Sequence, residues 1–130
     1  MFYLTVSEVV EINEQVLAEE GQPSLLADEG KLESAIMRPQ MAAHYEEADL
    51  VRQTALLISG VALAHAFVDG NKRTALIAGR TFLRFNGYML ERKPEEFADA
   101  ILGLVNHTDS LEAATDRLEA WIQAHLHPNA

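Results

Sequence analysis

The segment from Leu50 to Ala64 constrains the fold more than any other part of the chain, because apolar side chains surround it on every side. A surface helix carries polar residues along one face, whereas a helix that is apolar all round lies at the centre of a domain. We therefore expect Asp49 to begin a central helix that ends near Ala64, with the other elements packed around it.

The flanking segments predict five further helices joined by short turns. They run from Val6 to Glu20 after a capping box at Thr5 and Glu8, from Asp28 to Ile36, from Asn71 to Asn86, from Pro94 to Asn106, and from Ser110 onward. Because Pro39 closes the second helix, Met37–Glu47 is expected to be a loop or short hairpin flap, and Tyr88–Arg92 an extended segment. The predicted fold is all-α: a compact, single-domain bundle of about six helices over residues 1–130.

Composition excludes several functional classes. The chain has 130 residues and no cysteine, which rules out disulfides and thiolate chemistry and fits a reducing compartment. Its net charge of −10 disfavours direct binding of nucleic acid, which needs a basic footprint. The N-terminus lacks the basic flank of a signal peptide, and no uncharged run approaches the length needed to cross a bilayer. A cytoplasmic protein with no membrane association is expected.

The stretch from His65 to Arg73 collects the groups that a phosphate-transfer site needs. His65 ends the central helix, and an imidazole with a reference pKa of about 6.5 suits proton transfer at neutral pH. As a general base on an alcohol it could contribute about 10²–10⁴-fold in rate. Asp69 offers a carboxylate, and one carboxylate with substrate phosphates and water commonly holds Mg²⁺. Phe67 is expected to turn inward and anchor the loop in the core.

The Asp69–Gly70 turn leads into a helix that we expect Asn71 to cap, and the first backbone N–H groups of a helix lack intrahelical acceptors. With the helix dipole they form a site for an anion, which Gly70 allows to approach closely. Lys72 adds a point charge, and Arg73 can fork onto two oxygens. The set predicts phosphoryl or nucleotidyl transfer, with Arg73 acting beside the base.

Each of these residues has an ordinary structural explanation when it is taken alone. A histidine is electrostatically favoured near a helix C-terminus, Asp69–Asn71 is a turn sequence, and Lys72 and Arg73 can be solvated cations. Several such coincidences would have to fall within one short stretch, so their combination favours a functional site.

The same stretch resembles the signature of the Fic/Doc family, His-x-Phe-x-Asp/Glu-Gly-Asn-x-Arg-x-x-Arg, and fits it through Arg73. Lys72 stands where most members have glycine, and Leu76 stands where they have a second arginine. Both departures are the pattern of the Doc branch of the family. The likeness extends over most of the chain, becomes weaker after Pro94, and includes Glu29–Ile36, Tyr45–Glu47 and Phe82–Gly87.

The resemblance implies a compact helical bundle with transferase activity that uses ATP and Mg²⁺. Most family members transfer AMP to a hydroxyl of a target protein. Toxins of the Doc branch instead transfer the terminal phosphate to a threonine of elongation factor Tu and block translation. By this resemblance His65 is the base, Asp69 binds Mg²⁺, and Gly70, Asn71, Lys72 and Arg73 form the phosphate site.

The resemblance also implies an interaction partner and a role for the predicted flap. Met37–Glu47 corresponds to the segment that docks the target protein. Many family members restrain themselves with a helix of pattern Ser/Thr-x-x-x-Glu-Gly/Asn, and the sequence shows no such pattern. A Phd-like antitoxin, a small separate protein, is therefore expected to restrain the activity.

Two alternatives stay open at this point. One is an AMP transferase of the Fic type with a protein target, and the other is a non-catalytic module that holds an antitoxin or a nucleotide. Lys72 puts a bulky cation where an α-phosphate would otherwise lie against bare backbone, and Leu76 cannot clamp the far phosphates. Both residues therefore disfavour the pose needed for AMP transfer.

Overall fold

The computed structural model describes residues 1–91, 94–106 and 108–129, and within these ranges the chain forms six helices and one small sheet. The helices are α1 (Val6–Ala18), α2 (Glu29–Glu46), α3 (Leu50–Ala64), α4 (Asn71–Phe85), α5 (Pro94–Val105) and α6 (Leu111–His125), and the strands are β1 (Tyr88–Leu90) and β2 (Leu126–Pro128). This confirms the predicted all-α bundle. None of the described helices combines the length and apolar character needed to cross a bilayer.

Helix α3 is the centre of the bundle, since α2, α4, α5 and α6 all pack against it. Residues on all of its faces are buried, including Ala55 and Ile58, which have no exposed surface. Its buried polar side chains are satisfied: Gln53 accepts a hydrogen bond of 2.8 Å from the Tyr3 hydroxyl and donates one of 2.9 Å to the Ala48 carbonyl. The all-round apolar pattern therefore gave the correct position of this helix.

Side chains fix the start of four helices, as the sequence predicts. Thr5 and Glu8 form a reciprocal capping box on α1. Asp28, Asp49 and Ser110 each accept a hydrogen bond from the backbone amide three residues later. Such caps satisfy donors that the helix itself leaves unpaired.

The predicted loop or hairpin flap over Met37–Glu47 is wrong, because α2 continues through Pro39 to Glu46. A proline inside a helix removes one backbone hydrogen bond, which normally ends it. Here the helix continues because one face is buried against α3, and that face comprises Leu32, Ala35, Ile36, Pro39 and Ala42. The backbones approach closely where Gly60 meets Ala35, so tertiary packing compensates for the lost bond.

A short antiparallel two-stranded sheet follows the C-terminal end of α4. Tyr88 pairs with Pro128 and Leu90 pairs with Leu126. The extended conformation predicted after Gly87 is confirmed for Tyr88–Leu90, and Arg92 lies outside the described residues. The partner strand β2 follows α6 directly and was not foreseen.

Gly79 tests how tightly α4 packs on the centre. An added Cβ at Gly79 would lie 2.5 Å from both Cδ1 and Cγ1 of Ile58, which is fully buried and cannot move aside. We expect Gly79→Ala to lower the free energy of unfolding by about 1–3 kcal/mol in a denaturant titration. In α5, an added Cβ at Gly103 meets no described atom within 4 Å, so Gly103→Ala should stabilise by about 0.5–1 kcal/mol. Equal effects of the two substitutions would contradict this account.

Candidate active site

The loop that joins α3 to α4, residues 65–70, is called the site loop here. Its middle is anchored in the core, because Ala66 is 1% exposed and Phe67 is 2% exposed. The inward position predicted for Phe67 is therefore confirmed. His65, Val68 and Asp69 are exposed, so the loop presents its polar groups outward while its apolar residues fix it from below.

The connection between α1 and α2 holds the backbone of the site loop. Val68 donates a hydrogen bond of 2.9 Å to the Leu25 carbonyl, and the amides of Ala27 and Asp28 donate to the Ala66 carbonyl at 2.7 and 3.0 Å. These bonds resemble one rung of a sheet and leave the loop little conformational freedom. No sequence signal predicts these bonds, because they involve backbone atoms alone.

His65 adopts a left-handed backbone conformation, with φ 52° and ψ 39°, at the C-terminal end of α3. This conformation is uncommon for residues other than glycine and costs roughly 1–2 kcal/mol. A histidine that serves only to end the helix would be better replaced by glycine. Its presence in this conformation with an exposed side chain favours a functional role over the capping role left open above.

The imidazole and the start of α4 share one open cavity of about 360 Å³. The cavity is lined by Ala62, His65, Val68, Asp69, Gly70, Asn71, Lys72 and Arg73. The structure thus brings together every residue that the sequence singled out as catalytic, phosphate-binding or metal-binding. The required arrangement, an outward imidazole beside the amino end of a helix, is present.

Asn71 does not cap α4, contrary to the expectation from sequence. Gly70, in a left-handed conformation with φ 77°, occupies the cap position, and Asn71 is the first helical residue. The Asn71 side chain instead accepts a hydrogen bond of 3.1 Å from the Phe67 amide and donates one of 2.9 Å to the Phe67 carbonyl. A primary amide can serve both backbone groups of one residue at once, so Asn71 closes the site loop on itself.

Backbone donors at the start of α4 face the cavity unpaired. No residue in the described ranges accepts a hydrogen bond from the amides of Asn71, Lys72 and Arg73, whereas the Thr74 amide donates to Gly70 at 2.9 Å. The Gly70 amide donates to Asp69 Oδ1 at 2.8 Å, so this carboxylate lies at the positive end of the helix. Such unpaired amides favour an anion.

The two cationic residues that line the cavity, Lys72 and Arg73, differ in their ion pairs. Lys72 is exposed and forms no ion pair with any residue in the part of the chain that the structure describes. Arg73 forks onto two carboxylates: Nη2 donates to Glu19 Oε2 at 2.9 Å, and Nη1 donates to Glu20 Oε1. The fork predicted to hold phosphate oxygens is therefore engaged by the residues that follow α1. Neither glutamate was predicted to contact Arg73, and the available signal was the acidic pair at the end of the first predicted helix.

Comparisons with known proteins give the family of the chain. Residues 3–83, from α1 through most of α4, match the Fic/DOC family. The chain is 32% identical over 119 residues to "Protein kinase doc" of Escherichia phage P1, covering 91% of this chain and 94% of that protein. The chain belongs to the Fic/DOC family. The resemblance seen at His65–Arg73 is therefore confirmed by a match that spans the fold.

Two further relatives match over shorter lengths. "Toxin Doc" of Mycolicibacterium smegmatis is 45% identical over 65 residues, which is 48% of this chain and 50% of that protein. "Ribonuclease 3" of Colwellia psychrerythraea is 30% identical over 82 residues, and the match covers 31% of that protein. The second match spans too little of its protein to carry a functional argument.

The ion pairs of Arg73 should compete with a bound phosphate. Exposed ion pairs are each worth about 0.2–1 kcal/mol, so the double variant Glu19→Gln, Glu20→Gln should bind a phosphate anion, with ATP as the probe, about 2- to 30-fold more tightly. Isothermal titration calorimetry at low and high salt measures this gain, which should shrink as salt rises.

A matched control removes two carboxylates elsewhere. Asp116 and Glu119 on α6 pair with Arg52 at 2.8 and 3.1 Å and line no part of the site cavity. The variant Asp116→Asn, Glu119→Gln changes the net charge equally and should leave ATP affinity within about twofold. An equal gain in both variants would show that overall charge, and not Arg73, sets the affinity.

Proposed function

We propose that this chain is a toxin of a toxin–antitoxin module that acts as a protein phosphotransferase. It moves the terminal phosphate of ATP to a threonine hydroxyl of elongation factor Tu in the cytoplasm, which blocks translation. A small Phd-like antitoxin restrains it. The observation that carries the proposal is the single cavity shared by the exposed His65 imidazole and the unpaired amides at the start of α4. The names of two relatives, a protein kinase and a toxin, support it.

The proposed reaction assigns one role to each group in the cavity. The threonine oxygen attacks the γ-phosphorus while the bond to the bridging oxygen of the β-phosphate breaks, and ADP leaves. The His65 imidazole takes the hydroxyl proton, for which its exposed position gives the target access. The amides of Asn71, Lys72 and Arg73, with the cationic side chains of Lys72 and Arg73, stabilise the charge on the phosphates.

Asp69 fits the proposed Mg²⁺ site. Its Oδ1 accepts from the Gly70 amide, which orients the carboxylate and leaves Oδ2 available to a cation at the cavity. Mg²⁺ typically takes one or two protein carboxylates and fills its other positions with phosphate oxygens and water. When bound, it would neutralise charge on the ATP phosphates. One carboxylate beside an anion site is therefore a sufficient donor set.

The charges along α4 favour transfer of the terminal phosphate over transfer of AMP. The exposed Lys72 side chain lies at the amino end of α4, where bare backbone would otherwise admit an α-phosphate. One turn later Leu76 is partly buried and carries no charge, so it cannot replace a second clamping arginine. AMP transfer to a protein, and a non-catalytic module that holds an antitoxin or nucleotide, remain the two rival functions.

Replacement of His65 tests catalysis without unfolding the protein. Glycine adopts the left-handed conformation of His65 freely, so His65→Gly should retain or raise the melting temperature. Transfer of labelled γ-phosphate from ATP to purified elongation factor Tu should fall by about 10²–10⁴-fold. His127→Ala, in β2 and outside the cavity, is the matched control and should keep full activity. Undiminished transfer by His65→Gly would rule out the imidazole as the base, whereas absence of transfer by the unmodified protein would favour the non-catalytic alternative.

Replacement of Lys72 tests which group is transferred. Lys72→Gly removes the exposed cation and opens space against the backbone, so adenylylated target should appear beside a reduced amount of phosphorylated target. Intact-mass spectrometry distinguishes the two adducts. An adenylyl adduct made by the unmodified protein would contradict the proposed phosphate transfer and support the AMP-transferase alternative.

A further inference from the structure

A fully buried asparagine on α1 lies beneath the site loop. Asn13 has no exposed surface, yet its side chain makes three hydrogen bonds. Nδ2 donates to the Asp69 carbonyl at 3.0 Å and to Thr74 Oγ1 at 3.0 Å, and Oδ1 accepts from the Ser24 hydroxyl. Both amide hydrogens are used, so this side chain has a single satisfied orientation.

The two acceptors of Asn13 lie on either side of the phosphate cradle, defined here as the amides of residues 71–73. Asp69 precedes Gly70 and the cradle, and Thr74 follows it. One side chain therefore fixes the distance between the turn that enters the cradle and the helix that leaves it. The proposed metal ligand depends on the same turn, since Asp69 belongs to it.

Gly70 also lies close to the side chain of Asn13. An added Cβ at Gly70 would lie 3.1 Å from Asn13 Nδ2 and 3.2 Å from Leu17 Cδ2. The surface of α1 is thus in direct contact with the turn. An apolar residue at position 13 could fill this space without the cost of burying an amide, so the amide has a purpose beyond filling volume.

We infer that Asn13 is a positioning residue that holds the phosphate cradle in its binding geometry before a phosphate arrives. The inference rests on the proposed function for the identity of the ligand. The contacts of Asn13 do not depend on that proposal. A preformed set of donors avoids the cost of organising them during binding or reaction. Misplacement by about 1 Å can cost about 10²-fold in rate, so a remote side chain of this kind can control activity.

A purely structural role for Asn13 is the alternative, and Gln53 provides the control for it. Gln53 is 2% exposed and also makes two side-chain hydrogen bonds, but to Tyr3 and Ala48, at the opposite end of α3 from His65. Replacement of either residue leaves its hydrogen-bonding partners, buried or partly buried, without that bond and should destabilise the fold to a similar degree.

The experiment compares Asn13→Ala with Gln53→Ala in the full chain by two measurements. Hydrogen exchange follows the amides of Phe67 and Thr74, which are both hydrogen-bonded in the site loop and at its junction with α4. Calorimetry gives the affinity for ATP with Mg²⁺. We expect Asn13→Ala to speed exchange at both amides and to weaken ATP binding by about 10- to 100-fold. Gln53→Ala should lower the melting temperature and leave both quantities within about twofold.

The outcomes separate the inference from the proposed function. Unchanged exchange and affinity in Asn13→Ala, or equal changes in Gln53→Ala, would overturn the positioning role. If the wild-type protein bound no ATP while Asn13→Ala still loosened the loop, the nucleotide chemistry would be refuted and the role of Asn13 in holding the loop would stand. Should Asn13→Ala not fold, Thr74→Val removes one acceptor alone and must weaken ATP binding by a smaller factor, or the inference fails.

Discussion

The burial of α3 on all of its faces is the constraint on which the rest of the structure depends. A helix surrounded by α2, α4, α5 and α6 cannot rotate or slide without exposing apolar surface, so its last residue is fixed in space. That residue is followed at once by His65, and the next helix packs back along the same centre. The polar groups of the site loop thereby gain a rigid base, although the loop itself contains only two buried side chains.

Contacts with neighbouring segments offset two locally unfavourable features at the site. The left-handed backbone of His65 is unfavourable in isolation, and so is a buried amide at Asn13. Each persists because neighbours determine the geometry: the anchored Phe67 on one side, and the hydrogen bonds from residues 24–28 and from α1 on the other. These two departures from ordinary helix-ending and core-packing rules lie in the site loop or beneath it, as expected where function and not stability selects the residue.

Features that depend on local chemistry could be predicted from the sequence. Features that depend on tertiary contacts could not. Caps at Thr5, Asp28, Asp49 and Ser110 were predictable because a side chain and an amide three residues later are sufficient. Pro39 predicts a helix end because its effect on the backbone is local, whereas the compensating burial against α3 depends on tertiary packing. The role of Asn71 was misjudged for the same reason: capping and loop closure use the same amide, and only the path of Phe67 distinguishes them.

The contacts of Arg73 bear on how the proposed phosphate site would work in an acidic chain. With a net charge of −10, the long-range field of the protein repels phosphates, so binding must come from short-range donors. The pairs that hold Arg73 are exposed and worth about 1 kcal/mol or less each, whereas hydrogen bonds from unpaired amides to a charged phosphate are each worth about 1.5–3 kcal/mol. Phosphate binding can therefore displace the carboxylates of Glu19 and Glu20, and those carboxylates would bias the empty cavity against weaker anions that offer fewer oxygens to the cradle.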